Sequence, residues 1–198
     1  MMCRSPYELN FLVSAYSLFY ALGGVLFFTV PDKIGRLPSF KIFSTMNLLA
    51  QILTILTPVY WLKLTGYIVL GFSQLKSTLS YVYLFEFMHS RDKPFACSCI
   101  NAMDALTPAI AGAFFLFVDL DVFPLYVTVV SISTVAYLTI MILNLETPMW
   151  LLHNGKTKEA ISVFNYIAWF NGVEHRVPEE AQFIEAKGAE TQSASNQP

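Results

Sequence analysis

The amino-acid sequence indicates an all-α integral membrane protein, and two observations support this fold. First, 55% of the 198 residues are hydrophobic and only 13% are charged, with a mean hydropathy of +0.53. Ordinary soluble domains carry about 25% charged residues. Second, the few charges are spaced so that they separate five long runs that are almost free of charge. This pattern argues against a soluble enzyme.

The five runs have the length of transmembrane helices. An ionised side chain is costly in lipid, so charges gather where a span ends. A helix needs roughly 20 residues to cross about 30 Å of hydrocarbon, and each run is close to that length. The runs show no alternation and are too long for barrel strands. We therefore predict one bundle over residues 1–145, with spans at about 9–31, 42–62, 64–85, 94–118 and 122–145.

The chain after the fifth span has a different character. Residues 146–187 are predicted to form a cytoplasmic amphipathic helical segment, with a helix from Lys156 to Phe170 that Gly172 can end. One face of this helix is apolar and carries Ala160, Ile161, Phe164, Ile167 and Ala168. Residues 188–198 are mostly polar or small and are predicted to be a disordered tail.

Basic residues set the expected orientation. One side of the bundle receives Lys33, Arg36, Lys41, Arg91, Lys93, Lys156 and Lys158. The other side receives only Arg4 and Lys63. Because Lys and Arg concentrate in cytoplasmic loops, we expect the N-terminus outside and the C-terminus in the cytoplasm. The sequence leaves open whether this multi-pass protein lies in the plasma membrane or an internal membrane.

Three loops at that basic side resemble the major facilitator superfamily. The loop after the first span reads PDKIGR at residues 31–36, similar to the D-R-x-G-R signature. An acid and a basic residue, Glu86 and Arg91, follow the third span. After the fifth span, ETPMWLL at residues 146–152 is similar to the E-S-P-R-W-L-L stretch of sugar and organic-ion transporters. The resemblance covers roughly residues 8–173 and is closest to the organic cation/anion and sugar branches.

The resemblance implies a function and a set of gating residues. It implies transport of small organic solutes, organic ions above all, by alternating access, with the five spans matching spans two to six of twelve. The implied charge network is Asp32, Lys33, Gly35, Arg36, Glu86, Arg91 and Glu146. Lys33 and Met149 stand where the family usually has Arg, so we expect fewer charge contacts in the network of this chain.

Two charges, Lys76 and Asp104, fall inside predicted spans. Lys76 lies ten residues before Glu86 and Asp104 eleven after Lys93, which places both roughly 15 Å from the span end and near the middle of the bilayer. We hypothesise that they face each other or a shared polar cavity that binds substrate or couples protons. Gln74 and Asn101, with Ser77, Ser80 and Thr107, could complete its lining. An ion pair that only fixes helix packing is equally compatible with the sequence.

Other functions remain open at this point. The chain could be a sugar transporter, a non-transporting membrane interaction or regulatory protein, or an inactive truncated product, because the family's first span and spans seven to twelve have no counterpart. A second chain could supply missing helices. No catalytic set or metal motif is present, and Cys97 and Cys99 point in different directions on a helix. We expect no enzymatic activity, cofactor or nucleic acid, and expect lipid and a small organic solute as partners.

Overall fold

The computed structural model describes residues 5–117, 122–142, 144–173 and 177–178. Within these ranges the chain is helical and contains no strand, which confirms the all-α membrane fold. The described helices are α1 (Pro6–Phe27), α2 (Val30–Ile34), α3 (Arg36–Leu56), α4 (Tyr60–Ser73), α5 (Leu75–Phe87), α6 (Lys93–Phe117), α7 (Val122–Ile142), α8 (Pro148–His153) and α9 (Thr157–Phe170).

Four of these helices, α1, α3, α6 and α7, are long and apolar enough to cross a membrane. They overlap the first, second, fourth and fifth predicted spans, but the predicted span 42–62 is wrong in its bounds, since α3 ends at Leu56 and α4 begins at Tyr60. The third predicted span, residues 64–85, is instead divided between α4 and α5. At the division the N–H of Ser77 donates to the carbonyl of Gln74 at 2.9 Å, a tighter turn than the α-helix. The hydroxyl of Ser73 also competes for the backbone there by donating to the Leu70 carbonyl.

The core lies where α3 meets α4 and α5. Phe43, Leu75 and Leu79 are buried together, and α1 packs along α4 while α7 packs along α3. By contrast, the described residues of α6 and α7 include none that is buried. Residues 101–110, the middle of α6, are all exposed. The described residues thus form a packed unit of α1, α3, α4 and α5, with α7 packed against α3 and α6 more loosely attached.

The segment after α7 folds back on the end of α5. Helices α8 and α9 pack on each other, and Leu151, Ala160 and Val163 form a second buried cluster against Phe87. The buried part of α9 includes Ala160 and Ile161 of the predicted apolar face. The helix ends at Phe170, and Gly172 follows in a left-handed conformation. The predicted tail at 188–198 lies outside the described residues.

Gly71 sets how closely α4 approaches α1. A Cβ atom at this position would lie 2.6 Å from the backbone oxygen of Tyr16 and 3.0 Å from the backbone nitrogen of Tyr20. Backbone atoms cannot move aside as a flexible side chain can, so Gly71→Ala should push the helices apart. We expect a loss of roughly 1–3 kcal/mol in the free energy of unfolding, measured by denaturant unfolding in detergent micelles.

Gly112 in α6 provides the matched control. A Cβ atom there meets nothing within 4 Å, and alanine favours helix more than glycine does. Gly112→Ala should therefore leave stability unchanged or raise it slightly. Equal losses for both variants would contradict the tight α1–α4 packing.

Candidate functional site

Four charged residues meet at one end of the bundle, and we call Asp32, Arg36, Glu86 and Glu146 the charge cluster. Nη1 of Arg36 lies 2.6 Å from Oδ1 of Asp32, and Nε of Arg36 donates to Oε1 of Glu86 at 3.2 Å. The guanidinium therefore joins α2 to the end of α5. Its planar set of donors suits simultaneous contact with two carboxylates.

Glu146 completes the charge cluster through the backbone. Its Oε1 accepts hydrogen bonds from the N–H groups of Arg36 at 3.1 Å, Leu37 at 3.0 Å and Thr147 at 3.1 Å. The first N–H groups of a helix have no partner within the helix and carry partial positive charge, so a carboxylate is well placed at the start of α3. Glu146 thereby attaches the segment after α7 to the first turn of α3.

Gly35 makes room for this contact. Its φ is +118°, in the region that side chains disfavour, and a Cβ atom there would lie 2.7 Å from Oε2 of Glu146. The glycine of the sequence motif is thus required both by the backbone turn and by the approach of the carboxylate.

Two basic residues of the predicted network differ in their placement. Lys33 lines a cavity of about 570 Å³ beside the charge cluster, together with Trp150 and His153. Arg91 is exposed in the turn between α5 and α6, and no hydrogen bond or ion pair links it to another residue of the described ranges. The structure therefore brings Asp32, Arg36, Glu86 and Glu146 together with Lys33 nearby, but not Arg91.

Inside the bundle, Lys76 contacts an amide that the sequence had not singled out. Its Nζ donates to Oδ1 of Asn47 at 2.5 Å. The same oxygen accepts from Nε2 of Gln51 at 3.0 Å, and Nδ2 of Asn47 donates to Oγ of Ser73 at 3.0 Å. These residues tie α3 to α4 and α5 through polar contacts.

Asp104 lies apart from Lys76. Its Oδ2 accepts from the hydroxyl of Tyr81 at 2.5 Å, and among the ion pairs of the described ranges none joins it to Lys76. Five residues turn a helix by about 140°, so Lys76 and Tyr81 lie on different faces of α5. Lys76 and Asp104 therefore do not face each other in this structure, and Asp104 is not among the residues that line the cavity at Lys76.

The remaining predicted cavity residues have separate partners. Nε2 of Gln74 donates to the hydroxyl of Tyr16 at 2.7 Å, and Oγ of Ser77 donates to Oε1 of Gln74 at 3.2 Å. Nδ2 of Asn101 donates only within α6, to Sγ of Cys97 at 3.6 Å. Gln74 thus links α1 to the α4–α5 junction, whereas Asn101 stays on the exposed part of α6.

The polar stripe of α3 was the residue pattern that sequence reasoning missed. Ser44, Asn47, Gln51 and Thr54 follow one another at helical spacing within an otherwise apolar run. Ser44, Asn47 and Thr54 are buried. Polar residues that share one face of a transmembrane helix indicate a contact with another helix or a cavity, and this spacing could have identified Asn47 as a partner for Lys76.

Comparisons with known proteins agree with these features. The protein family described as sugar (and other) transporter matches residues 4–197. "Solute carrier family 22 member 16" of Xenopus laevis is 23% identical over 174 residues, which cover 87% of this chain. The chain spans 30% of the length of that relative.

Removal of the Glu146 carboxylate tests the charge cluster. Glu146→Ala leaves the N–H groups of Arg36, Leu37 and Thr147 without their acceptor. A hydrogen bond to a charged group contributes about 1.5–3 kcal/mol, so we expect the free energy of unfolding to fall by about 2 kcal/mol or more. Denaturant unfolding in detergent micelles measures this change.

Glu159→Ala is the control for loss of a carboxylate. Glu159 pairs with Lys156 at 3.8 Å on the surface, where both side chains are about half exposed or more. Exposed pairs contribute little, so this variant should lose less than about 1 kcal/mol. A Glu146→Ala variant as stable as Glu159→Ala would contradict the role assigned to Glu146.

Proposed function

Because the chain belongs to the sugar (and other) transporter family, we propose that it works in the transport of small organic ions by alternating access. In this mechanism one half of a major facilitator rocks against the other around a site near the middle of the membrane. The relative from Xenopus laevis is named as a solute carrier, which supports a small solute as the transported species. Sugar transport and a non-transporting role are the competing possibilities.

The charge cluster is the observation that carries this proposal. Arg36 is shared between Asp32 and Glu86, while Oε2 of Glu86 is buried and lacks a hydrogen-bond partner within the described ranges. A carboxylate that retains a free acceptor oxygen can take another donor when helices move. An arrangement of this kind suits a latch whose partners change between two conformations.

The interior residues have distinct proposed roles. Lys76 is the proposed solute contact, because its ammonium lines a cavity in the bundle. Asp104, which accepts a hydrogen bond from Tyr81, is the proposed carboxylate that couples proton movement to transport, on the exposed face of α6. Gln74 near Lys76 and Asn101 near Asp104 are proposed to contribute further polar contacts to the solute.

The proposed orientation places the charge cluster at the cytoplasmic side. The asymmetry of Lys and Arg between the loops supports this placement. Cys3 can report it, because a membrane-impermeant maleimide should label Cys3 from outside in a variant with Cys97→Ser and Cys99→Ser. If Cys3 is labelled only after the membrane is made permeable, the N-terminus lies in the cytoplasm and the proposed orientation is wrong.

Loss of the Glu86 charge should impair transport. We expect Glu86→Gln in the natural gene product to lower the initial rate of solute uptake at least about tenfold, the effect of losing one charge-assisted hydrogen bond. The measurement is uptake of labelled organic anions, organic cations and sugars by cells that express equal surface amounts of each variant.

Glu159→Gln is the matched control, since it removes an exposed carboxylate outside the charge cluster. It should transport normally. Normal uptake by Glu86→Gln would argue against gating by the charge cluster. Absence of uptake of every solute by the correctly inserted wild-type protein would reject the transporter proposal and favour a non-transporting membrane protein.

A further inference from the structure

A cavity of about 250 Å³ lies between α3, α5 and α7. It is separate from the larger cavity beside the charge cluster. Its polar lining comes from all three helices and includes Ser44, Asn47, Lys76, Ser80, Ser133 and Tyr137. Apolar side chains such as Ile132 and Ile140 complete the wall. The cavity therefore combines one cation, several hydroxyl groups and an apolar portion.

The hydrogen bonds of this cavity leave donors without acceptors. The ammonium of Lys76 has three N–H donors, and within the described ranges Asn47 is its one hydrogen-bond acceptor. Of the carboxylates in those ranges, none lies within ion-pair distance of Lys76. Ser44 is only 5% exposed, and within the described part of the chain its Oγ has no hydrogen-bond partner. Two ammonium protons and the Ser44 hydroxyl are thus unpaired among the described residues.

Such an excess of donors without acceptors has a physical cost. A cation inside the membrane is expensive unless an anion or several acceptors compensate its charge. A buried hydroxyl without a partner adds a further penalty of about 1–3 kcal/mol. A bound carboxylate would remove both costs, because its two oxygens can accept from Lys76 and Ser44. A bound cation would instead add a second positive charge next to Lys76.

We propose that this cavity binds the carboxylate of a small organic anion, with Lys76 as the opposing charge and Ser44 as a second donor. The inference rests on the proposed transport function and narrows its substrate class. Ligand pockets usually measure roughly 300–1,000 Å³, so a cavity of this size suits a compact molecule such as a carboxylate on a single ring. The apolar wall from α7 would contact the ring.

Benzoate binding to the purified chain in lipid nanodiscs tests the proposal. We expect saturable binding of labelled benzoate, with benzamide and protonated benzylamine at least about tenfold weaker. Lys76→Met should weaken benzoate binding by about 10- to 100-fold, as expected for a hydrogen bond to a charged group. Ser44→Ala should weaken it by a smaller factor. Lys63→Met, which removes a lysine outside the cavity, should bind benzoate as the wild type does.

The unliganded variants give a second readout. Lys76 is a half-buried charge without an opposing charge in the described ranges. Its removal should leave the melting temperature of Lys76→Met unchanged or raise it, whereas removal of a purely structural lysine would lower it. If Lys76→Met does not fold, Ser44→Ala still tests the site. No benzoate binding by the wild type, stronger benzylamine binding, or wild-type affinity in both cavity variants would each overturn the proposal.

This test also separates the inference from the proposed function. If the gene product takes up a solute but the chain does not bind benzoate, the transport proposal stands and the anion site is wrong. If benzoate binding is saturable and depends on Lys76 but no solute is taken up, the anion site stands and the transport proposal is wrong.

Discussion

The carboxylate of Glu146 is the contact on which the arrangement of this chain depends. It lies more than one hundred residues from Arg36 along the sequence, yet it accepts the backbone N–H groups of Arg36 and Leu37. These groups would otherwise be unpaired at the start of α3. By satisfying them, Glu146 fixes the segment after α7 against the first turn of α3. Helices α8 and α9 then lie beside the end of α5.

The charge cluster follows from this contact. With α3 held at its first turn, Arg36 is positioned between Asp32 and Glu86. Gly35 is needed because any side chain at this position would enter the space of the Glu146 carboxylate. The same anchoring keeps α7 beside α3, where Nζ of Lys41 donates to the Met141 carbonyl near the end of α7 at 3.4 Å. The cavity at Lys76 has one wall formed by α7, and the position of that wall therefore depends indirectly on the contact between Glu146 and the start of α3.

Charge spacing predicted the helical membrane fold, and the resemblance to the major facilitator superfamily supplied the residues that meet in the charge cluster, because both depend on sequence position. Charges mark span ends in any bundle, and the motifs that supplied Arg36, Glu86 and Glu146 are local in the chain. The pairing of Lys76 was not predictable in this way. Its partner depends on how α3 and α5 are rotated about their axes, and hydropathy does not fix that rotation. Lys76 consequently contacts Asn47 rather than Asp104.

Amide hydrogen exchange at Arg36 and Leu37 tests the central contact most directly. The first N–H groups of a helix normally exchange quickly, because they lack partners within the helix. If Glu146 accepts them, both amides should be protected as strongly as the interior of α3 in the wild-type chain in nanodiscs. That protection should disappear in Glu146→Ala while the middle of α3 stays protected. Rapid exchange of both amides in the wild type would contradict the account.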